Sequence, residues 1–94
     1  MLDIRFEPGG RVVLSGRLDA SQVHKARSVL DTVLGSVVID CSGLDYISSA
    51  GISVLLVTLK RLQLEGHSLT LSHVQGRIMN VLRYSGLDRI FTVE

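Results

Sequence analysis

The 94-residue chain carries ten Lys and Arg against nine Asp and Glu, for a formal net charge of +1, and 46% of its residues are hydrophobic. That length has room for one domain around one core, and basic residues scattered singly or in pairs leave no nucleic-acid footprint. The apolar tract from Ile52 to Leu59 is interrupted by Ser53 and Thr58 and ends at Lys60-Arg61, too short to span a bilayer. The lone Cys41 cannot form an internal disulfide, and the start Met1-Leu2-Asp3-Ile4-Arg5 lacks the layout of a signal peptide, so a cytoplasmic protein without membrane contact is expected.

Leu2, Ile4 and Phe6 alternate with Asp3 and Arg5, as in a strand with one buried face, and Pro8-Gly9-Gly10 supplies a turn into a second strand over Arg11 to Ser15. Gly16 to Ser21 reads as a loop in which Asp19 or Ser21 caps a helix. In that helix Val23, Ala26, Leu30 and Val33 fall three and four residues apart, and Gly35 is its stop. Val37, Val38 and Ile39 are a continuous β-branched run suited to a central parallel strand buried on both faces. Functional loops gather at the carboxyl ends of such strands, and Asp40 to Ser49 is read as that loop. A helix from Ala50 to Leu64 follows, turning Ile52, Leu55, Leu56, Leu59 and Leu62 to the core, with Gly66 as its C′ residue. Ser68 to Leu71 alternates as a strand, Gln75 to Tyr84 forms a third helix closed by Gly86, and Ile90 to Val93 is a short last strand. The order ββαβαβα with a terminal strand predicts one α/β domain over residues 1–94, with a mixed sheet of four or five strands.

Two adjacent hydroxyls, Ser48 and Ser49, stand where the central strand gives way to the second helix. Helix N-termini favour negative charge, because free backbone N–H groups and the macrodipole point there. A hydrolase nucleophile elbow would read Gly-x-Ser-x-Gly, but Ile47-Ser48-Ser49-Ala50-Gly51 lacks the first glycine, and His67 and His73 form no base-and-orienter arrangement. The three histidines and Cys41 do not fall at zinc spacings, and neither phosphate-binding glycine motif occurs. No metal or cofactor is therefore expected. Taken by the residues alone, one of the two serines is simply the cap of the helix, Asp19 is a cap, and Cys41 is a small buried hydrophobe with no basic neighbour to lower its pKa.

Gly16-Arg17-Leu18-Asp19-Ala20, the run from Val37 through Asp40-Cys41-Ser42-Gly43-Leu44-Asp45-Tyr46-Ile47-Ser48-Ser49-Ala50-Gly51 into Ile52-Ser53-Val54-Leu55-Leu56, and the later Val81-Leu82-Arg83-Tyr84-Ser85-Gly86-Leu87 resemble the STAS domain of bacterial anti-sigma factor antagonists. The resemblance implies helices packed mainly on one face of the sheet and a partner-switching regulator rather than an enzyme. It implies phosphorylation of Ser49 by an anti-sigma factor that is itself a serine kinase, and resetting by a metal-dependent serine phosphatase. Asp19, Leu44, Tyr46, Ile47, Ser48, Ser49, Ala50 and Gly51 are the residues expected to face the partner. Many antagonists carry an acidic residue where this chain has Ser48, which makes Ser48 a competing acceptor. The alternative within the same family is a constitutive scaffold subunit of a transport or signalling complex whose serine is never modified.

Overall fold

A computed structural model describes residues 1–94. The alternation at the amino end forms a hairpin of β1 (Leu2–Glu7) and β2 (Arg11–Leu18), turned at Pro8-Gly9-Gly10. A 3-10 turn over Ala20–Gln22 leads into α1 (Val23–Leu30). β3 (Val37–Ile47), α2 (Ser49–Leu64), β4 (Leu69–Ser72), α3 (Gly76–Tyr84) and the two-residue β5 (Thr92–Val93) complete the chain. The sheet runs β1-β2-β3-β4-β5, antiparallel between the first two strands and parallel thereafter. Right-handed crossovers along a sheet laid down in one direction bring every connecting helix to the same face.

The core follows from that arrangement. Leu2 and Ile4, Val12 and Leu14, Val37 and Ile39, and Leu69 and Leu71 stand on one face of four adjacent strands. They merge with Ala26, Leu30, Leu55, Leu59, Leu62, Ile78 and Leu82 of the helices into a single buried cluster of 22 residues. The opposite face carries Asp3, Arg5, Arg11, Asp40, Thr70 and Thr92, polar residues suited to a face without helices. Phe6, expected in the core, is 50% exposed beside the hairpin turn. In α2 the fully buried side chains include Val54 and Thr58, whereas Ile52 and Leu56 are only partly covered.

Two segments expected as loops are strand. β2 continues past Ser15 to Leu18, and β3 continues past Ile39 to Ile47. Their pairing starts at Arg11↔Val38, slips by one residue between Val13 and Ser15, and slips again between Gly16 and Arg17, ending at Leu18↔Ile47. Each slip puts one extra residue into β3, the signature of a β-bulge. The buried residues Cys41, Leu44 and Ile47 therefore recur every third position instead of every second, and a polar Ser42-Gly43 between them gives the segment the look of a loop. Gly16 sits within β2 with φ +90°, where a Cβ would lie 2.2 Å from the Met1 carbonyl oxygen, so only glycine fits that bend.

Three ties hold the helices at their ends. α2 closes in a Schellman arrangement at Gly66, with His67 N–H donating to Leu62 O at 2.8 Å and Gly66 N–H to Gln63 O at 3.1 Å. Arg61 of α2 donates to the carbonyls of Leu30, the last residue of α1, and of Val33 just beyond it, both at 2.9 Å, tying α2 to the end of α1. At the outer edge of β1, Leu2 N–H donates to Gln22 Oε1 at 3.1 Å and Lys25 Nζ donates to Leu2 O at 2.5 Å.

Candidate functional site

The ends of β2 and β3 and the first turn of α2 meet at one pole of the domain. Ser48 N–H donates to Leu18 O at 2.9 Å, which stitches the start of the helix to the end of β2. Ser48 has extended backbone, and its hydroxyl accepts from Gly51 N–H at 3.1 Å, the bond of a helix N-cap. Ser49 is the first helical residue. It is exposed, and its hydroxyl takes part in no hydrogen bond within the chain. The N–H groups of Ser49 and Ala50 also lack an intramolecular acceptor, since Gly51 N–H is taken by the cap and Ile52 N–H by Ser48 O. The two neighbouring serines thus hold different posts: Ser48 closes the helix, and Ser49 offers a free hydroxyl above two free amides.

Gly51 permits this junction. A Cβ there would lie 2.6 Å from Leu18 O and 2.7 Å from Leu18 Cγ, so the helix reaches β2 this closely only through glycine. It is buried and offers a partner no surface. Leu44 and Ile47, expected to face the partner, are 1% and 5% exposed and belong to the core. The bulges bury them, turning both side chains under the helices while the intervening Asp45 and Tyr46 stay outside. Ala50 is half-buried and stays at the surface.

Asp19 and Tyr46 are brought together by a residue that the sequence did not single out. Arg17 pairs with Tyr46 across the two strands. Its guanidinium lies 4.2 Å from the centre of the Tyr46 ring, and its Nε lies 3.9 Å from Asp19 Oδ2. Tyr46 is 38% exposed beneath it. The Asp19 carboxylate accepts from the Ser21 hydroxyl at 2.6 Å and from Ser21 N–H at 3.0 Å, so it does cap the 3-10 turn. The Ser21 hydroxyl bond is the main influence holding its pKa below the ordinary carboxylate value. Arg17 was legible only as part of Gly-Arg-Leu-Asp; its partner Tyr46 lay hidden because the bulges break the register that would align the two.

Beside the pole, a groove of about 360 Å³ runs between α1 and α2 from Ala50 to Thr58, walled by Val23, Arg27 and Asp31. Cys41 is the small buried residue that was expected, and desolvation pushes its thiol up to about 12, leaving it protonated and inert. Asp40, at the heart of β3, accepts from Ser42 N–H at 2.9 Å and pairs with Arg11, and the Ser42 bond is the chief cause of its lowered pKa. No helix is long and apolar enough to cross a membrane.

Comparison with known proteins places this geometry. BtrV of Bordetella bronchiseptica, named as an anti-sigma factor antagonist, is 40% identical over 57 residues, which is 61% of this chain and 49% of BtrV. The match thus spans about half the length of that relative. The phosphorylated form of the Bacillus cell fate determinant SpoIIAA superposes with a TM-score of 0.72 at 18% identity, over 100% of this chain and 91% of its own. A sulfate transporter family protein of Wolinella succinogenes superposes with a TM-score of 0.77 at 18% identity, over 95% of this chain and 80% of its own. Both share the α/β fold described above. A family model described as "Mlab, STAS domain" matches residues 3–93, and with nearly its whole length so matched, the chain belongs to the STAS domain family.

Proposed function

We propose that the chain is an anti-sigma factor antagonist that acts by partner switching in the cytoplasm. In its unmodified form it binds an anti-sigma factor that is also a serine kinase. That kinase transfers the γ-phosphoryl group of ATP to the Ser49 hydroxyl oxygen, and the complex then releases. A metal-dependent serine phosphatase restores the hydroxyl. The chain itself performs no chemistry; it is the acceptor and the docking surface.

The observation that carries this reading is the division of labour between the two serines. Ser48 is committed to the helix cap, whereas the Ser49 hydroxyl is exposed and unbonded at the start of α2. A phosphate there brings roughly −1.5 to −2 charges and three acceptor oxygens to a place where free amides and the macrodipole tolerate them. The fold survives, but a closely packed partner does not. Burying the added charge against apolar or acidic partner atoms costs several kcal/mol, on the order of a hundredfold or more in affinity. Asp19, Tyr46 and Ala50 complete the exposed part of the surface.

Incubation with ATP and its cognate serine kinase should label the wild type and Ser48→Ala equally, and leave Ser49→Ala unlabelled. Wild-type labelling of Ser49→Ala would overturn the assignment. A second reading, a constitutive subunit of a transport assembly, draws on the likeness to the Wolinella sulfate transporter family protein. Intact-mass measurement of protein from its own cells separates the two, since a phosphorylated fraction under any growth condition excludes the constitutive subunit.

A further inference from the structure

We infer that the free length of β1 is a self-association edge, on which a second copy of this chain pairs antiparallel about a two-fold axis at Phe6. β1 is the outermost strand of the sheet on its side. Its odd-numbered residues turn their backbone groups to β2, as the bond from Arg17 N–H to the Met1 carbonyl marks. The even-numbered residues turn theirs outward. At Leu2 both outward groups are taken, by Gln22 and Lys25. At Ile4 and Phe6 no side chain or loop takes them, so a stretch of bare template remains there, beside an aromatic ring that is 50% exposed.

The side chains choose both the occupant and the register. In an antiparallel pair centred on Phe6, that residue exchanges both outward backbone bonds with Phe6 of the second copy, and the two rings cover each other. Arg5 then stands opposite Glu7 of the second copy, and Glu7 opposite its Arg5, so opposite charges meet on each side of the axis. Within the chain these two residues make only loose contacts, Arg5 Nε to Asp3 Oδ2 at 3.6 Å and Arg11 Nε to Glu7 Oε1 at 3.7 Å. Other registers fail. An axis at Arg5 would set Arg5 on Arg5 and Asp3 on Glu7, like charge against like. An axis at Ile4 would lay Phe6 of the second copy along Leu2, where Gln22 and Lys25 already cover the backbone. With the axis at Phe6, Ile4 comes opposite Pro8, which has no N–H to give, and the ladder ends. The Leu2 end of β1 lies toward Ser49, so the two Ser49 poles stand at opposite ends of such a dimer, both open.

Sedimentation equilibrium of the full chain tests this, whether or not Ser49 is ever modified. The wild type should show a monomer–dimer equilibrium. Arg5→Glu and Glu7→Arg should each weaken it about tenfold, because each reversal places like charges together on both sides of the axis. The two substitutions combined should restore it. Phe6→Cys should form an intermolecular disulfide on mild oxidation, since a hydrogen-bonded antiparallel pair holds its Cα atoms about 5.5 Å apart, within disulfide reach. Asp3→Cys, also exposed but opposite the hairpin turn of the second copy, should not. The buried Cys41 does not compete. A wild type that stays monomeric up to about 1 mM would overturn the inference. So would a double variant that stays as weak as the single ones, or an Asp3→Cys disulfide that forms as readily as that of Phe6→Cys. A dimer indifferent to Glu7→Arg would place the contact elsewhere and overturn it equally.

Discussion

Between Val37 and Asp40, β3 has a hydrogen-bonded strand on each side and matches β2 residue for residue; between Cys41 and Ile47 it has β2 alone and takes in two extra residues. Both halves bury a set of core-facing side chains: Val37 and Ile39 in the first, Cys41, Leu44 and Ile47 in the second. They differ in what stands between those side chains. The regular half places Val38 and Asp40 within the sheet, whereas the bulged half projects Asp45 and Tyr46 outward beside the start of α2. A bulged strand can thus act as a loop on its outer side while remaining anchored like a strand on its inner side.

That comparison can be broken most directly through the core. Leu44→Ala in the bulged half and Ile39→Ala in the regular half should each destabilise the protein by about 2–5 kcal/mol in urea titration. A loss below about 1 kcal/mol for Leu44→Ala alone would mean that the bulged half is anchored no better than a surface loop. Gly51→Ala comes next, with about 1–3 kcal/mol lost as the new methyl meets the Leu18 backbone 2.6 Å away. Retention of full stability would show that α2 can slide away from β2. The serine pair sharpens the comparison at smaller scale. Ser48→Ala should lose about 1 kcal/mol with its cap, while Ser49→Ala should stay within about 0.5 kcal/mol of the parent, and thermal unfolding of the two variants side by side checks the order.

The smallest effect appears only in acid and belongs to the regular half. The Ser42 N–H bond, followed by Arg11, holds the Asp40 pKa below its ordinary 3.8. A depressed carboxyl adds stability above the unfolded value and loses it as pH falls through the folded one. Stability should therefore decline below about pH 4, and Asp40→Asn should flatten that part of the profile while lowering the plateau above it.

Much of this molecule was legible from patterning alone. β1, α2, β4 and α3 fall within a residue or two of where alternation, helical spacing and terminal glycines put them, because in each the local pattern and the packing agree. The ends of β2 and β3 were not legible, for a physical reason. Burial at Cys41, Leu44 and Ile47 follows a period of three, which matches neither strand nor helix, and Ser42-Gly43 imitates a turn. A loop over these residues would put Leu44 and Ile47 at the surface and give Arg17 no cross-strand partner. The resemblance alone assigns modification to Ser49; the cap bond to Gly51 N–H separates the two serines by their part in the helix.

The hydrogen bonds that Gln22 and Lys25 make to Leu2 have a bearing on recognition. The outermost strand of an open sheet ordinarily offers bare amides and carbonyls along which a foreign strand can zip. Here, at the end of β1 that lies toward Ser49, both backbone groups of Leu2 are already spoken for by side chains from α1 and the turn before it. A protein arriving at this pole finds no backbone template to extend. It must read side chains and shape, and those are what a single phosphate can rewrite.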